Sequence, residues 1–188
     1  MKKIFYGKAV YDQKEIRAVL NVLKNHGLTL IDGPHVKKLE QTVARMFGKK
    51  YGLMVNSGSS ANLLALSSFK FKKGSEVITP SLTFATTVSP IYQLGLIPHF
   101  IGAVENKFLA DPEQIEKSIN KRTVAIMIPN LLGNIADWKK IHKIAKKYNL
   151  KVIEDSADTI GYTVNKKNVG KLSDITTNSF YASHIING

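Results

Sequence analysis

The chain has 188 residues, 44% of them hydrophobic, no cysteine, and a formal net charge of +13. That supports one sizeable core and excludes a disulfide framework or a thiolate metal site among these residues. With no apolar run near the roughly 18 residues of a membrane span, and no apolar stretch in the charged start at 1–8, a cytoplasmic protein without a membrane partner is expected.

Two amphipathic helices open the chain. Asp12 with Glu15 three residues on forms a capping-box pattern; Ile16, Val19, Leu20 and Leu23 repeat at helical spacing, and Gly27 offers a stop. A second helix is predicted from Pro34, burying Val36, Leu39, Val43 and Met46 and ending near Gly48. Short apolar runs then read as strands at Tyr51–Val55, Glu76–Thr79, Ile97–Ile101, Thr123–Ile128 and Lys151–Glu154. Helical stretches lie between most of them, at Ser59–Phe69, around Thr86–Leu94, at Pro112–Ile119 and at Asp137–Tyr148. In the last, Trp138, Ile141, Ala145 and Tyr148 share one face. Asn178–Tyr181 reads as a further short strand. Such alternation predicts a single α/β domain: a mostly parallel sheet with helices on both faces.

The positive charge invites a nucleic-acid partner, but its distribution speaks against one. Nearly all basic residues are lysines scattered in pairs, such as Lys37-Lys38, Lys72-Lys73, Lys139-Lys140 and Lys166-Lys167. Only Arg17, Arg45 and Arg122 offer the bidentate fork suited to phosphate or guanine. No basic stripe alternates with aromatics. The reading is a solvated lysine surface that favours anionic small substrates.

In open α/β sheets ligands sit beyond the carboxyl ends of the strands, where the unusual polar residues of this chain gather. Asn56-Ser57-Gly58-Ser59-Ser60-Ala61 leads into a helix, either as a phosphate cradle of N–H groups and hydroxyls or as an ordinary Ser-capped turn. In Pro80-Ser81-Leu82-Thr83-Phe84-Ala85-Thr86, Phe84 offers a flat face to an aromatic ligand or a core side chain. Glu154-Asp155-Ser156-Ala157-Asp158 ends a buried apolar run, where carboxylates are costly unless a cationic or protonated group meets them. Asp155 is then a partner for a ring nitrogen, or a helix cap or surface acid. His184 follows the last predicted strand, either as a structural or surface side chain, the commoner case for a lone histidine, or as a group that moves protons near neutral pH.

Taken together, Val55-Asn56-Ser57-Gly58-Ser59-Ser60-Ala61-Asn62, then Thr83-Phe84, Glu154-Asp155 and Ser179-Phe180-Tyr181 resemble the DegT/StrS family of pyridoxal-phosphate (PLP)-dependent nucleotide-sugar aminotransferases. The resemblance runs from Gly7 to Gly188 and includes Gly48-Lys49-Lys50-Tyr51, Glu76–Pro80 and Val169-Gly170. It implies the large domain of the aspartate-aminotransferase type (PLP fold type I), incomplete at its C-terminus, with the small C-terminal domain absent from residues 1–188. Carried over by position, Gly58, Ser59 and Ser179 would bind the cofactor phosphate, Phe84 would stack on the pyridine ring and Asp155 would pair with its nitrogen. Asp158 falls where the family places a residue near the ring hydroxyl, more often Gln or His.

The departure is His184. Five residues beyond Ser179 the family carries the lysine that forms a Schiff base with the cofactor aldehyde, which histidine cannot do. This pattern resembles the family's dehydratase branch, the nucleotide-sugar 3-dehydratases of deoxysugar, lipopolysaccharide or O-antigen synthesis. The resemblance implies that the cofactor works in its amine form, pyridoxamine phosphate (PMP), to remove the C3 hydroxyl of a nucleotide-linked 4-keto-6-deoxyhexose. His184 would carry the proton and Asp155 would keep the ring nitrogen protonated. The alternatives are an aminotransferase using another lysine, of which Lys171 is the nearest upstream, and a non-catalytic remnant. The resemblance also implies an N-terminal fragment, inactive alone, of a homodimeric enzyme. One dehydratase group adds an iron–sulfur cluster and a reductase partner beyond the present residues, and the other regenerates its amine cofactor from glutamate.

Overall fold

A computed structural model of the chain describes residues 3–5, 7–25, 30–164 and 167–186. Helix α1 (Gln13–Asn25) begins as the capping box predicts: the Asp12 N–H donates to Glu15 Oε2 at 2.7 Å, and Asp12 Oδ1 accepts from Lys14 N at 2.6 Å. The expected stop at Gly27 lies outside the described residues. Helix α2 (Pro34–Met46) starts on its proline and is followed by Gly48 in the left-handed region. The predicted apolar faces are not core, however. Helix α1 buries no residue, and in α2 Leu39 and Met46 are exposed while Ala44 is buried, followed by Phe47 just beyond the helix. The periodicity is that of amphipathic helices, but only the Ala44–Phe47 end is buried, with Phe47 against Gly170.

Helix α3 (Gly58–Ser68) precedes β1 (Glu76–Pro80), α4 (Ala85–Gln93), β2 (Ile97–Ile101), α5 (Pro112–Ser118), β3 (Thr123–Pro129), α6 (Trp138–Lys147) and β4 (Lys151–Asp155). A two-residue hairpin, β5 (Thr163–Val164) with β6 (Lys167–Asn168), comes before β7 (Ile175–Thr177). The main sheet has the order β2-β1-β3-β4-β7, and all its pairings are parallel. Alternate residues of its strands feed two cores, as burial on both faces requires. Ile78, Ile126, Ile128 and Val152 pack with Trp138, Ile141 and Ala145 of α6 and Ile115 of α5. Val77, Ala125, Met127 and Ile153 pack on the other face with Ala65 and Leu66 of α3 and Ile91 of α4. Each fully buried side chain of this size contributes about 1.5–3 kcal/mol. Tyr148 departs from the expected α6 face: it is largely exposed, its hydroxyl 3.3 Å from Glu116.

Two expected strands are corrected. Residues 51–55 form no strand and pair with none among the described residues, and Tyr51 and Leu53 are exposed. An apolar run makes a strand only where a ladder partner meets it. The last strand is Ile175–Thr177, not Asn178–Tyr181. Its β-branched residues align with Ile153, Glu154 and Asp155, and the aromatic run that suggested a strand follows it as loop.

Candidate active site

The residues singled out from the sequence lie at the start of α3, in the loop from β1 to α4, and in the segments that end or follow β4 and β7. Ser57 caps α3, its Oγ accepting the Ser60 N–H at 3.1 Å. The N–H groups of Gly58 and Ser59 are thereby held at the positive end of the helix, with the Ser59 side chain exposed. A Cβ on Gly58 would lie 3.0 Å from Ser179 Cβ and 3.3 Å from Ser179 Oγ. The two segments expected to share a phosphate therefore meet, and glycine is what lets them approach so closely.

Asp155, the last residue of β4, is buried. Its Oδ2 accepts from Asn62 Nδ2 and from Thr87 Oγ1, each at 2.8 Å, and its Oδ1 from the Ala157 N–H at 3.2 Å. Asn62 is tied down in turn by Thr177 Oγ1 at 2.6 Å. Among the described residues no cation lies within ion-pair distance of Asp155, so neutral donors alone hold the carboxylate, and it retains the capacity for a cationic partner. Thr87 belongs to the same turn as Phe84, its N–H donating to Phe84 O at 3.0 Å. Phe84 is 69% exposed, so the core alternative for this residue is set aside. Beside it, Thr83 Oγ1 is buried without a hydrogen-bond partner. An uncovered aromatic face, a buried carboxylate without a counter-ion and a glycine-lined helix start fit a flat cationic ring bearing a phosphate.

His184 is mostly buried. Its Nδ1 lies 2.6 Å from Ala157 O and 3.3 Å from Asp158 Oδ1, and its ring meets Tyr181 edge-on at 6.0 Å between centroids. The loop after β4 thus joins both expected catalytic groups, since the residue receiving His184 is two positions beyond Asp155. Asp158 Oδ2 accepts the Leu132 N–H at 2.9 Å.

Sequence reasoning left two groups unassigned. Asn62 and Thr87 hold Asp155, and their signal was a polar side chain within otherwise apolar helical runs. The second is the cluster around Glu154, which is fully buried. Its carboxylate accepts from Ser156 Oγ at 2.7 Å, Asn130 Nδ2 at 3.1 Å, Ser173 Oγ at 3.1 Å, Thr176 Oγ1 at 3.2 Å and the Tyr162 hydroxyl. Burial first, and then the Glu154 charge, push the Tyr162 phenol up. Lys49 feels the Glu154 charge without forming an ion pair with it among the described residues. Its Nζ donates to Ser173 O at 2.6 Å; burial lowers its pKa, and the charges of Glu154 and Asp174 oppose that.

Comparison with known proteins bears on this arrangement. The model of the DegT/DnrJ/EryC1/StrS aminotransferase family matches residues 10–187. The dTDP-4-dehydro-2,6-dideoxy-D-glucose 3-dehydratase of Saccharopolyspora spinosa is 39% identical over 167 residues, covering 85% of this chain and 36% of its own. A His-to-Asn variant of GDP-4-keto-6-deoxymannose-3-dehydratase with bound GDP-perosamine superposes with a TM-score of 0.89 at 32% identity, covering 97% of this chain and 48% of that one. The Escherichia coli GDP-4-keto-6-deoxy-D-mannose-3-dehydratase with bound hydrated PLP gives 0.78 at 34% identity, covering 86% and 43%. The chain spans about half the length of these relatives or less.

Proposed function

The chain belongs to the DegT/DnrJ/EryC1/StrS aminotransferase family, and from that premise we propose that it forms part of a PLP- or PMP-dependent dehydratase acting at C3 of a nucleotide-linked 4-keto-6-deoxyhexose. When bound, the cofactor supplies a pyridine ring able to accept electrons from a bond-breaking step. The chain's own residues do the rest. Gly58 and Ser59 present N–H groups, and Ser179 a hydroxyl, to the phosphate. Phe84 covers one face of the ring. Asp155, held by Asn62 and Thr87, keeps a proton on the ring nitrogen. His184 takes a proton and returns it to the departing hydroxyl.

The observation that carries the proposal is His184 itself, a base that forms no Schiff base, fixed on the loop that Asp155 begins. Lys171, the nearest upstream lysine that an aminotransferase reading could recruit, sits in the turn before β7 with its stem against Gly48, which favours the dehydratase reading. The working form we propose is a homodimer, checked by its mass in solution. An iron–sulfur cluster and its reductase would draw on cysteines that these 188 residues do not contain.

The test supplies the intact protein with PMP and a GDP- or dTDP-linked 4-keto-6-deoxyhexose and follows loss of one water by mass spectrometry. Wild type is expected to dehydrate, and His184→Lys to dehydrate less and gain transamination. A lysine variant that dehydrates as well as the parent would remove His184 from the chemistry. Borohydride trapping of a cofactor–lysine adduct in wild type would favour the aminotransferase instead.

A further inference from the structure

Leu132, in the turn after β3, adopts φ 54° and ψ 33°, a left-handed conformation that a branched side chain rarely takes. The residue is 71% exposed, so packing does not explain the conformation. What the turn accomplishes is to aim the Leu132 N–H at Asp158 Oδ2, 2.9 Å away. Backbone outliers of this kind persist where surrounding structure enforces them, and they concentrate at functional sites. The other oxygen of the same carboxylate lies 3.3 Å from His184 Nδ1, and Ala157 O lies 2.6 Å from that nitrogen. Both groups facing Nδ1 are acceptors only. Nδ1 must therefore carry hydrogen, which leaves the lone pair of a neutral ring on Nε2.

We propose that Asp158 is a positioning residue for His184, pinned by the Leu132 turn, and that it fixes the Nδ1–H tautomer so that Nε2 is the atom that takes and returns the proton. This rests on the reading of His184 as the proton carrier. It gives Asp158 a different task from the cofactor contact that the family resemblance implies. The geometry also states what an isosteric change would do. In Asp158→Asn the Leu132 N–H still needs an acceptor, so the amide oxygen stays on Leu132 and the amide nitrogen turns toward His184. A donor then faces Nδ1, competes with Ala157 O, and draws the ring toward the Nε2–H tautomer, the wrong one for a base at Nε2.

The test uses the intact protein labelled with nitrogen-15 and loaded with PMP. Long-range proton–nitrogen correlation at a pH where the ring is neutral reports its tautomer, with the His184 signals identified by their absence in His184→Asn. Wild type is expected to show Nδ1–H. Asp158→Asn is expected to shift toward Nε2–H and to lose dehydration roughly ten- to a hundred-fold, with the dissociation constant for PMP within about twofold of wild type. A wild-type His184 protonated on Nε2 when neutral would overturn the proposal without any variant. So would an Asp158→Asn protein that keeps its tautomer but binds PMP tenfold more weakly, since Asp158 would then be a cofactor contact. Should wild type fail to dehydrate any nucleotide-linked ketosugar, the functional reading falls, while the tautomer and PMP titrations still decide what Asp158 does.

Discussion

Glu154 and Asp155 are consecutive on β4 and, as strand geometry requires, serve opposite faces of the sheet. Glu154 is enclosed by three hydroxyl-bearing residues in the segments 156–176, the Tyr162 phenol and the Asn130 amide, with Lys49 nearby as counter-charge. Asp155 has only Asn62, Thr87 and one backbone N–H, and no cation within ion-pair reach among the described residues. Two acids of nearly equal burial are thus satisfied to different degrees. A carboxylate saturated from within the chain holds the fold together. One held in place by neutral donors, with its charge left uncompensated, has room for a cation that the described residues do not supply.

The comparison is broken most directly at Glu154. Glu154→Leu strips five donors of their acceptor, so it should cost about 3 kcal/mol or more in chemical denaturation, while the molecules that remain folded bind PMP as wild type does. Asp155→Asn should do the reverse. Stability should change by about 1 kcal/mol, and the dehydration proposed for the intact protein should fall roughly a hundredfold, the scale for losing a preorganised charge beside reacting atoms. Equal stability losses in the two variants would erase the distinction between them. Asn62→Leu lies between, because Asp155 and Thr177 each lose a partner. It should destabilise by about 1–3 kcal/mol and weaken PMP binding, whereas a variant with unchanged PMP affinity would show that Thr87 and the Ala157 N–H suffice to aim the carboxylate.

Much of this contrast could be read in the sequence on one side only. That Asp155, Gly58 and Ser179 would lie together past the strand ends was legible because a parallel sheet places its polar loops there, and the order of motifs matched a family. Strands β1, β3 and β4 were legible to within about a residue because their cores are short apolar runs buried on both faces. Strand β2, an edge strand in which only Ile101 is buried, was legible from its short run between two helical stretches. The Glu154 cluster was not legible. Its partners are spread from Asn130 to Thr176, and no local pattern marks a hydroxyl that turns inward. The strand expected at 51–55 failed for a related reason: periodicity describes the segment, whereas pairing depends on what lies beside it. The exposed faces of α1 and α2 teach the same about helices. Amphipathicity states which side would be buried, and the neighbours decide whether it is.

The smallest expected effect concerns a third buried acid, at the opposite end of the sheet from the candidate site, and it separates fold from site by pH. Glu76 opens β1 and accepts from Asn120 Nδ2 at 2.6 Å, with His99 Nδ1 at 3.3 Å and the Arg122 guanidinium beside it. The Asn120 hydrogen bond is foremost in holding its carboxyl below the ordinary 4.5, with burial opposing and His99 and Arg122 assisting. A carboxyl whose pKa is lower in the folded than in the unfolded chain contributes stability that is fully present above the unfolded value and is lost as pH falls through the folded one. Denaturation midpoints of wild type should therefore drop on acidification below about pH 4.5. Glu76→Gln should start lower at neutral pH, follow a flatter curve, and approach wild type in acid. Because β1 presents Glu76 at its amino end, PMP affinity at neutral pH should be the same in both proteins. A Glu76→Gln curve parallel to wild type would mean that the ion pairs at this end add nothing to stability, and that the paired acids of this sheet serve the fold only at Glu154.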